Sequence, residues 1–509
     1  MNAALFPGKI LDAYRIGEAL VAARAAVPEI FDRDGQLVVP GAARGAKWAG
    51  SAMVHSPVDG GFLGSVRQMS QAQAASTVEA ADAQSASWAA TPLHKRTKLV
   101  AEALRLVVEH EHIITVILAW EIGKTPKAAQ ADLGRALSGA QWYIENIGEM
   151  MQDRSPIGVV SNIASWNYPF SVLFLNMLVQ ALSGNASVAK TPHQGGGISL
   201  SLAVALARRA GLPLFLTAGR GAELGAPLID GPGVAGVAFV GGRENGAAVA
   251  SRLARTDKRY ALEMEGINSY VVTDFSNWPL LKQQIRSGFD FGKQRCTAYT
   301  RWVVEQSLVP DFVDAYIEAV VDLRVGHPFL GTPVDFGPLI SAAKVTELGA
   351  RVAEATASGA TTVFEKAFPD GAFLPRQDRS AYMMPRLVVG AKPETSLYQR
   401  EPFGPVDLLV PVSSTEAMLD AANASGGALV ASVASDSPAR VREVAARLQA
   451  YKVGVNGMKS RGDRDEPFGG LGGSWLGAYV GGKNLVYAFT DGPQPVEGNY
   501  PAAATSEMA

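Results

Sequence analysis

The chain has 509 residues, which at about 150 residues per domain predicts two to four compact units. Apolar residues make up 48% of it and charged residues 18%, which excludes a disordered chain. The formal net charge of −2 excludes the positive field of a nucleic-acid-binding protein. The six histidines and the single cysteine form no CxxC or HExxH motif, so we expect no metal site and no disulfide framework.

Residues 1–47 are predicted to be an N-terminal extension. A helical stretch from Ile10 to Ala26 runs into the Gly/Ala-rich linker GAARGAKWAG, which is typical of an appendage, either a partner-docking arm or a disordered leader. The first residues contain no basic segment followed by an apolar core, and no apolar run approaches the roughly 20 residues that a membrane helix needs. We therefore expect a cytoplasmic protein without membrane contact.

The rest of the chain divides by hydrophobic period. From Ser70 to Gln152 apolar residues recur at helical spacing, which predicts a helical layer. After Arg154, short β-rich runs alternate with Ala/Leu-rich helical stretches, and this order predicts parallel sheets. The predicted fold is therefore α/β, with two such units in series. The predicted strands are IGVVSNIA, ASVAK, GVAFV, SYVVTD, TRWVVE, VDLLVPV and ALVASVAS, and the predicted helices include Ser199 to Ala210, Val309 to Val321 and Ala342 to Ser358.

The only thiol is the first candidate for chemistry. Cys296 lies in GFDFGKQRCTAYTRWVV between a helical and a strand-like stretch, with Lys293 and Arg295 close in sequence. Nearby cations lower the pKa of a thiol and favour the reactive thiolate, which predicts a nucleophile. The alternative is a buried cysteine that acts as a small hydrophobe.

A thiol that attacks a carbonyl needs a donor for the developing oxyanion and a base for the water that releases the acyl group. Asn167, in NIASWNYPF, follows a strand and precedes a proline, where a side-chain amide can be held in a turn. Glu263 and Glu265, in RYALEMEGINSYVV, alternate with apolar residues, so both carboxylates would face one side of an extended chain. The alternatives are a turn asparagine and two solvated strand carboxylates.

Taken in order, these segments resemble the aldehyde dehydrogenase superfamily. The resemblance runs from about Trp48 to Thr490, and the motifs that carry it are PIGVVSNIASWNYPF, GNASVAK, VAFVGG, ALEMEG, GKQRCTA, EPFGPV and EPFGG. It implies two Rossmann-like parallel-sheet domains with a small bridging element. The implied boundaries are 48–135 and 154–264 for an NAD(P)-binding domain, 265–474 for a catalytic domain, 136–153 and 475–495 for the bridging or oligomerisation element, and 496–509 for a C-terminal tail.

The resemblance also implies a mechanism. Cys296 would attack an aldehyde, the Asn167 amide and the Cys296 backbone N–H would hold the oxyanion, and hydride would pass to NAD(P)+. Glu263 would then activate the water that hydrolyses the thioester to a carboxylic acid. The cofactor-binding residues carried over are Trp166, Lys190 at the adenosine ribose, Gly241 and Gly246 at the pyrophosphate, and Glu401 and Phe403 at the nicotinamide ribose and ring.

A narrower similarity concerns the substrate. The pieces KTPHQGG, AGRGAELG, KQRCTA and MKSRGDRDEPF are similar to the branch that contains non-phosphorylating glyceraldehyde-3-phosphate dehydrogenases. Guanidinium groups suit phosphate or carboxylate oxygens, so this similarity implies a small anionic aldehyde. The implied substrate-binding residues are Arg135, Tyr168, Arg295, Arg461 and Phe468.

Departures from the family pattern modify these expectations. Glu265 and Lys293 stand where small residues are usual, and Glu265 could share the base role or raise the pKa of Glu263. His193 replaces a glutamate that would repel a 2′-phosphate, which favours NADP+. The chain between Tyr143 and Pro156 is shorter than in many members, where this region helps to build the oligomer. We therefore expect a homodimer or a higher homo-oligomer, which need not be the usual tetramer.

Two other functions compete with this interpretation. One is a CoA-acylating semialdehyde dehydrogenase, in which a thiol accepts the acyl group instead of water. The other is a catalytically silent homologue that binds a nucleotide or acts as a scaffold. The presence of Glu263 argues against the first, and the presence of Cys296, Asn167 and Glu263 together argues against the second.

Overall fold

The computed structural model describes residues 9–42 and 48–500. Its strands are β1 (Gly50–His55), β2 (Phe62–Gln68), β3 (Ser155–Pro156), β4 (Val159–Ile163), β5 (Ala186–Lys190), β6 (Leu214–Thr217), β7 (Val234–Gly241), β8 (Arg259–Met264), β9 (Asn268–Val272), β10 (Tyr299–Glu305), β11 (Thr361–Phe364), β12 (Arg386–Val389), β13 (Val406–Val412), β14 (Ala428–Ala434), β15 (Ala450–Val455), β16 (Trp475–Ala478), β17 (Thr490–Asp491) and β18 (Gly498–Asn499).

Helices pack around these strands. The α-helices are α1 (Ile16–Ala26), α2 (Gln71–Ala89), α3 (Leu93–Glu109), α4 (Glu111–Ile122), α5 (Pro126–Met150), α6 (Leu175–Leu182), α7 (Gly197–Arg209), α8 (Gly221–Ile229), α9 (Arg243–Leu253), α10 (Trp278–Gly288), α11 (Val309–Val320), α12 (Ala342–Ala357), α13 (Ser396–Gln399), α14 (Thr415–Asn423), α15 (Pro438–Ala445) and α16 (Lys483–Tyr487). A π-helical segment, Pro169–Phe174, joins β4 to α6.

The first sheet has seven strands in the order β18-β16-β8-β7-β4-β5-β6. The five strands from β8 to β6 in this order are parallel, whereas β16 and β18 are antiparallel additions beside β8. The carboxyl ends are level, because Ile163 pairs with Lys190 and Lys190 pairs with Thr217. Side chains that follow these strands therefore meet at one edge, which is where open α/β sheets bind ligands.

The second sheet also has seven strands within the described residues, in the order β11-β12-β13-β10-β9-β14-β15. All neighbours are parallel except the edge strand β11. β9, β10 and β14 are buried almost throughout, as parallel strands covered on both faces should be. The predicted α/β class with two parallel units is confirmed, with antiparallel strands added at the edges.

The helical layer predicted between Ser70 and Gln152 consists of α2 to α5. α2 begins with a capping box, in which Ser70 and Gln73 satisfy each other's backbone N–H groups. α4 is buried on nearly every face, because α1, α5 and α7 all pack against it. α2 packs against β4, β5 and β6, and α5 packs against the π-helical segment that follows Asn167.

The N-terminal segment is not an appendage where the structure describes it. In α1, Ala19 and Ala23 are buried, and the Trp120 indole N–H donates to the Tyr14 carbonyl at 2.8 Å. Small side chains on one face of α1 allow close packing against α4, a tertiary contact that helical periodicity alone cannot reveal. Residues 1–8 and 43–47 of the predicted extension and residues 501–509 of the predicted tail lie outside the described residues.

Candidate active site

A cavity of about 1150 Å³ lies between the carboxyl edge of the first sheet and the loops that precede β9 and β10. Residues that are distant in sequence meet there, because the carboxyl end of β8 lies close to the starts of β9 and β10. Ten residues predicted from the sequence line it: Trp166, Asn167, Tyr168, Lys190, Gly241, Glu263, Cys296, Glu401, Phe403 and Arg461.

Cys296 lies on the loop before β10 and is partly buried. The Asn268 side-chain amide at the start of β9 donates to the Cys296 carbonyl at 2.7 Å and to the Ala298 carbonyl at 3.0 Å. Two bonds from one buried amide fix the backbone on both sides of Thr297. The thiol is therefore presented to the cavity from a rigid backbone.

The ionisation of the thiol differs from the expectation drawn from neighbouring cations. Burial and the Glu263 carboxylate raise the pKa of the Cys296 thiol well above its ordinary value, while Arg461 opposes the rise. Lys293 and Arg295 do not provide this cation, because Lys293 binds Asp407 and Arg295 donates to the Gly288 carbonyl at 2.9 Å. Closeness in sequence did not predict which cation faces the sulfur.

The cation that faces the thiol is Arg461, from the loop between β15 and β16. Its guanidinium donates to Glu263 Oε2 at 2.5 Å and also interacts with the Cys296 thiol. The Arg461 guanidinium stacks 4.5 Å from the centre of the buried Phe468 ring, which sets its direction. Thiol, carboxylate and guanidinium thus form one charged cluster.

Asn167 follows β4 and is buried. Its side-chain amide donates to the Gln294 carbonyl at 3.0 Å, two residues before Cys296. An amide nitrogen carries two hydrogens, so a second donor remains for a ligand oxygen near the thiol. This hydrogen bond holds Asn167, the predicted oxyanion donor, against the loop that carries Cys296.

The two carboxylates of the ALEMEG motif have different surroundings. Glu263, at the end of β8, is 2% exposed and faces the thiol, whereas the carboxylate of Glu265 accepts the backbone N–H of Glu401 at 2.9 Å. Neither is the solvated strand carboxylate of the alternative interpretation. Glu265 instead fixes the segment that carries Glu401, whose carbonyl also accepts from Arg351 at 3.0 Å.

The surroundings of Glu401 indicate whether the cavity fits a nicotinamide cofactor. Its side chain is buried, and among the described residues its Oε1 has no hydrogen-bond partner. Burial and the nearby Glu265 carboxylate raise the pKa of Glu401 well above its ordinary value. A ribose hydroxyl would satisfy this oxygen, and Phe403 and Trp166 stand beside it as an aromatic pair with ring centres 5.9 Å apart. The residues fit the nicotinamide ribose end of the cofactor.

The opposite end of the cavity suits the rest of a dinucleotide. Lys190, at the end of β5, is buried, and burial lowers its pKa to about 8. Gly242 caps α9 without any side chain within 4 Å of where a Cβ would be, so the N-terminus of α9 is open to an anion. Gly241, Gly242 and Asn245 line this part of the cavity.

Gly246 has a different position from the one expected at the pyrophosphate. It is buried inside α9, and a Cβ there would collide with the side chain of Met264 in β8. Its small size therefore allows α9 to pack closely on the sheet. Gly242, which the sequence analysis did not single out, takes the position at the helix start.

Arg220, Lys344 and Arg351 also line the cavity and were not singled out from the sequence, whereas His193 was. His193 and Arg220 line the cavity near Lys190, and Lys344 and Arg351 line it near Glu401. Arg220 follows β6 in the AGRGAELG segment, so its position at a strand end was a signal that could have identified it. Lys344 and Arg351 come from α12, whose amphipathic pattern alone does not distinguish ligand-facing cations from surface ones.

Two of the predicted substrate residues, Arg135 and Arg295, lie near Tyr168, and neither of them lines the cavity. The Arg135 guanidinium lies 5.5 Å from the centre of the Tyr168 ring, and both Arg135 and Arg295 act electrostatically on its hydroxyl. The ammonium of Lys124, which the sequence analysis missed, lies 4.1 Å from the same ring and is paired with the buried Asp132 at 2.8 Å. Tyr168 and Arg461 line the cavity directly, whereas Phe468 is buried beneath Arg461.

The described residues contain neither a cluster of metal ligands nor a helix that could span a membrane. Histidine, cysteine and carboxylate side chains form no group of three or more that could hold a metal ion. None of the helices in residues 9–42 and 48–500 has the length and apolar character needed to cross a membrane.

Comparison with known proteins gives concordant matches. The model of the aldehyde dehydrogenase family matches residues 46–492. An alpha-ketoglutarate semialdehyde dehydrogenase of Haloferax volcanii is 29% identical over 420 residues, covering 78% of this chain and 85% of the relative.

Two solved structures extend these matches to the fold. The NADP-dependent glyceraldehyde-3-phosphate dehydrogenase from Bacillus halodurans C-125, complexed with NADP, has a TM-score of 0.79 and 25% identity, covering 87% of this chain and 94% of that one. The succinate-semialdehyde dehydrogenase from Burkholderia pseudomallei has a TM-score of 0.80 and 25% identity, covering 90% and 98% respectively.

Proposed function

This chain belongs to the aldehyde dehydrogenase family, and we propose that it oxidises a small anionic aldehyde to the carboxylic acid with NADP+ as the hydride acceptor. The observation that carries the proposal is the cluster of Cys296, Glu263 and Arg461 in the same cavity as Lys190 and Glu401. A nucleophile, a base and an anion-binding cation therefore share one space with groups that suit a dinucleotide.

In the first step the Cys296 thiol releases its proton to solvent, its sulfur adds to the aldehyde carbon, and the carbonyl oxygen becomes an oxyanion. The free hydrogen of the Asn167 amide and the Cys296 backbone N–H stabilise this charge as it develops. The nicotinamide, when bound, supplies the acceptor for the hydride that leaves the carbon. Lys190, Glu401 and Phe403 would hold that cofactor, and the carbon is left as a thioester on Cys296.

In the second step water releases the acid. Glu263 accepts a proton from the water as its oxygen bonds to the thioester carbon, and the carbon–sulfur bond then breaks to return the thiolate. In the free enzyme Glu263 is held by Arg461 at 2.5 Å. A substrate anion that attracts the Arg461 guanidinium would weaken this pair and free the carboxylate to act as the base.

The anionic substrate class follows from the cations near the cavity. Arg461 lines it, and Arg135 and Arg295 surround Tyr168. Guanidinium groups bind carboxylate and phosphate through paired, charge-assisted hydrogen bonds. The three similar proteins described above are named as semialdehyde or glyceraldehyde-3-phosphate dehydrogenases, and these names support the same class.

NADP+ is favoured by the charge around Lys190. His193 and Arg220 line the cavity there, so a 2′-phosphate would meet cationic or neutral groups and no carboxylate from position 193. The similar enzyme from Bacillus halodurans is named as NADP-dependent and was solved with NADP.

We also propose the domain boundaries predicted above from residue 48 onwards, a cytoplasmic location and a homodimeric or higher assembly. The Tyr143 hydroxyl donates to the Gly482 carbonyl at 2.9 Å, and this contact supports a common bridging element from the two predicted segments. Val455, at the end of the edge strand β15, is 56% exposed, which supports an assembly that covers this edge.

The test compares two aldehydes of similar size that differ in charge. We would measure kcat/KM of wild type and Arg461→Met with succinic semialdehyde and with pentanal, and identify the product with and without coenzyme A. Because both aldehydes need the same thiol, their ratio reports anion binding alone. We expect the wild-type preference for the anion to fall by about 100-fold in the variant, as loss of a charge-assisted contact implies. An unchanged ratio rejects the anionic substrate, and an acyl-CoA product rejects hydrolysis.

A further inference from the structure

The turn that precedes the cysteine loop has an unusual backbone. Three successive residues, Phe291, Gly292 and Lys293, have positive φ angles of 53°, 59° and 60°. Glycine adopts such angles freely, but a residue with a Cβ is strained there. Phe291 and Lys293 therefore need contacts that hold them in this conformation.

Lys293 has such contacts. Its ammonium donates to both carboxylate oxygens of Asp407, at 2.7 and 2.6 Å, and to the Tyr299 carbonyl at 2.8 Å. All three ammonium hydrogens are therefore used. Both side chains of the pair are completely buried, and the ammonium also lies 4.3 Å from the centre of the Phe289 ring.

The partner of Lys293 is itself fixed. Asp407 belongs to β13 in the middle of the second sheet and also accepts the Tyr316 hydroxyl at 2.7 Å. A buried ion pair is a poor source of stability compared with apolar packing, because both charges lose their hydration. It does impose one geometry, since Lys293 and Asp407 form no other ion pair within residues 9–42 and 48–500.

The turn leads directly to the reacting groups. Lys293 precedes Gln294, whose carbonyl accepts a hydrogen bond from the Asn167 amide. The carbonyl of Lys293 accepts the Arg295 N–H at 2.9 Å. Gln294 is held in turn by its side chain, which donates to the Pro338 carbonyl and accepts from Ile340 N–H at 2.8 Å. A shift at Lys293 would therefore move both the cysteine loop and the amide that faces it.

We propose that Lys293 is a positioning residue for Cys296. Its ion pair with Asp407 holds the left-handed turn Phe291–Lys293 and so fixes the thiol and the Cys296 backbone N–H relative to Asn167. The proposal rests on the proposed role of Cys296 as nucleophile. It assigns a function to a residue that touches neither the thiol nor the cavity.

The test removes both charges at once, because Lys293→Met alone would leave Asp407 buried without a counter-ion. We would prepare the double variant K293M/D407N, the double variant K293G/D407N, and K282M as a control that breaks the surface pair of Lys282 and Glu318. Each is compared with wild type in NADP+ affinity, thermal midpoint, single-turnover NADPH formation, and the pH profile of Cys296 alkylation by iodoacetamide.

The expected result is selective. K293M/D407N should bind NADP+ within about threefold of wild type but form NADPH at least tenfold more slowly, with an altered alkylation profile. K293G/D407N should regain much of that rate, because glycine adopts the positive φ without the ion pair. K282M should match wild type in every measurement.

Two results would overturn the proposal. One is a folded K293M/D407N whose NADPH formation and alkylation profile match wild type within twofold. The other is loss of folding and NADP+ binding in both double variants, which would make the pair structural only. If K293M/D407N alone fails to fold, K293G/D407N becomes the deciding variant. A wild-type rate of NADPH formation in K293G/D407N supports a requirement for the turn. Failure of wild type to oxidise any aldehyde would instead count against the proposed function, and the alkylation profiles would still test the positioning.

Discussion

The Arg461 guanidinium and the Glu263 carboxylate are joined by a 2.5 Å hydrogen bond, although 198 residues separate them in the chain. Both also act on the Cys296 thiol, in opposite directions. Glu263 disfavours the thiolate by adding a negative charge beside it, and Arg461 favours it. The ionisation of the Cys296 thiol therefore depends on a balance between a residue of β8 and a residue of the loop that follows β15.

This balance predicts opposite effects of two substitutions on thiol ionisation. Glu263→Gln removes the negative charge, so the pKa of Cys296 should fall and alkylation at pH 7 should become faster. Arg461→Met removes the positive charge, so the pKa should rise and alkylation should become slower. The measurement is the iodoacetamide rate of each variant between pH 6 and 10, with Glu416→Gln as a surface control. If both substitutions displaced the profile in the same direction, the balance would be wrong.

Asn167→Ala tests the oxyanion donor separately from the thiol. Removing one such donor typically lowers kcat by about 10²-fold to 10³-fold, and we expect a loss of that size. KM for the aldehyde and the rate of Cys296 alkylation should change less than about threefold, because the amide acts on the oxyanion and not on the sulfur. Slow alkylation in this variant would show instead that Asn167 chiefly holds the cysteine loop through Gln294.

Cofactor choice is tested at His193. A carboxylate introduced by His193→Glu would face the 2′-phosphate, and at an exposed position this repulsion should raise KM for NADP+ by about tenfold. KM for NAD+ should stay within about twofold. His94→Glu, at an exposed position in α3, serves as the control for added charge. Equal changes for the two cofactors would remove the argument for a 2′-phosphate site beside Lys190.

The buried His327 predicts acid sensitivity. Burial lowers its pKa to about 4, against about 6.5 in an unfolded chain. Between these values the unfolded state binds the extra proton, so this histidine's contribution to stability is present above pH 6.5 and is lost as the pH falls towards 4. The loss between pH 7.5 and 5 is about 2 kcal/mol.

His327→Asn should therefore reduce the fall in thermal midpoint between pH 7.5 and 5, while the exposed-site variant His94→Asn should not. The asparagine can still accept the Phe329 N–H that His327 Nδ1 accepts at 3.2 Å. A fall in midpoint identical to wild type would show that other groups dominate acid unfolding.

The strand and helix pattern was sufficient to predict the α/β class and most elements after Arg154, because buried parallel strands form continuous apolar runs. It did not predict the place of α1, whose two buried alanines leave little apolar signal. The motifs also predicted ten residues that line one cavity, since strand ends that align in a sheet carry their following residues to the same edge. Their individual roles stay predictions.

The sequence could not show in which direction individual side chains point. Lys293 and Arg295 precede the thiol closely in sequence, yet Lys293 points into the second sheet and Arg295 towards α10. Gly246 resembles a phosphate-loop glycine but packs on Met264. The surroundings of each of these residues depend on the packing of elements that are far apart in the chain, and a local sequence pattern does not encode that packing.

The central claim is that Cys296 carries out NADP+-linked oxidation of an anionic aldehyde. The most direct measurement is the rate of NADPH formation by wild type and Cys296→Ala with succinic semialdehyde, together with NADP+ affinity by calorimetry. We predict turnover by wild type, none above background by Cys296→Ala, and NADP+ affinities within about threefold, because the thiol attacks the substrate and does not hold the cofactor. Equal turnover by the two proteins, or a wild type that binds NADP+ and oxidises no anionic aldehyde, would contradict the claim.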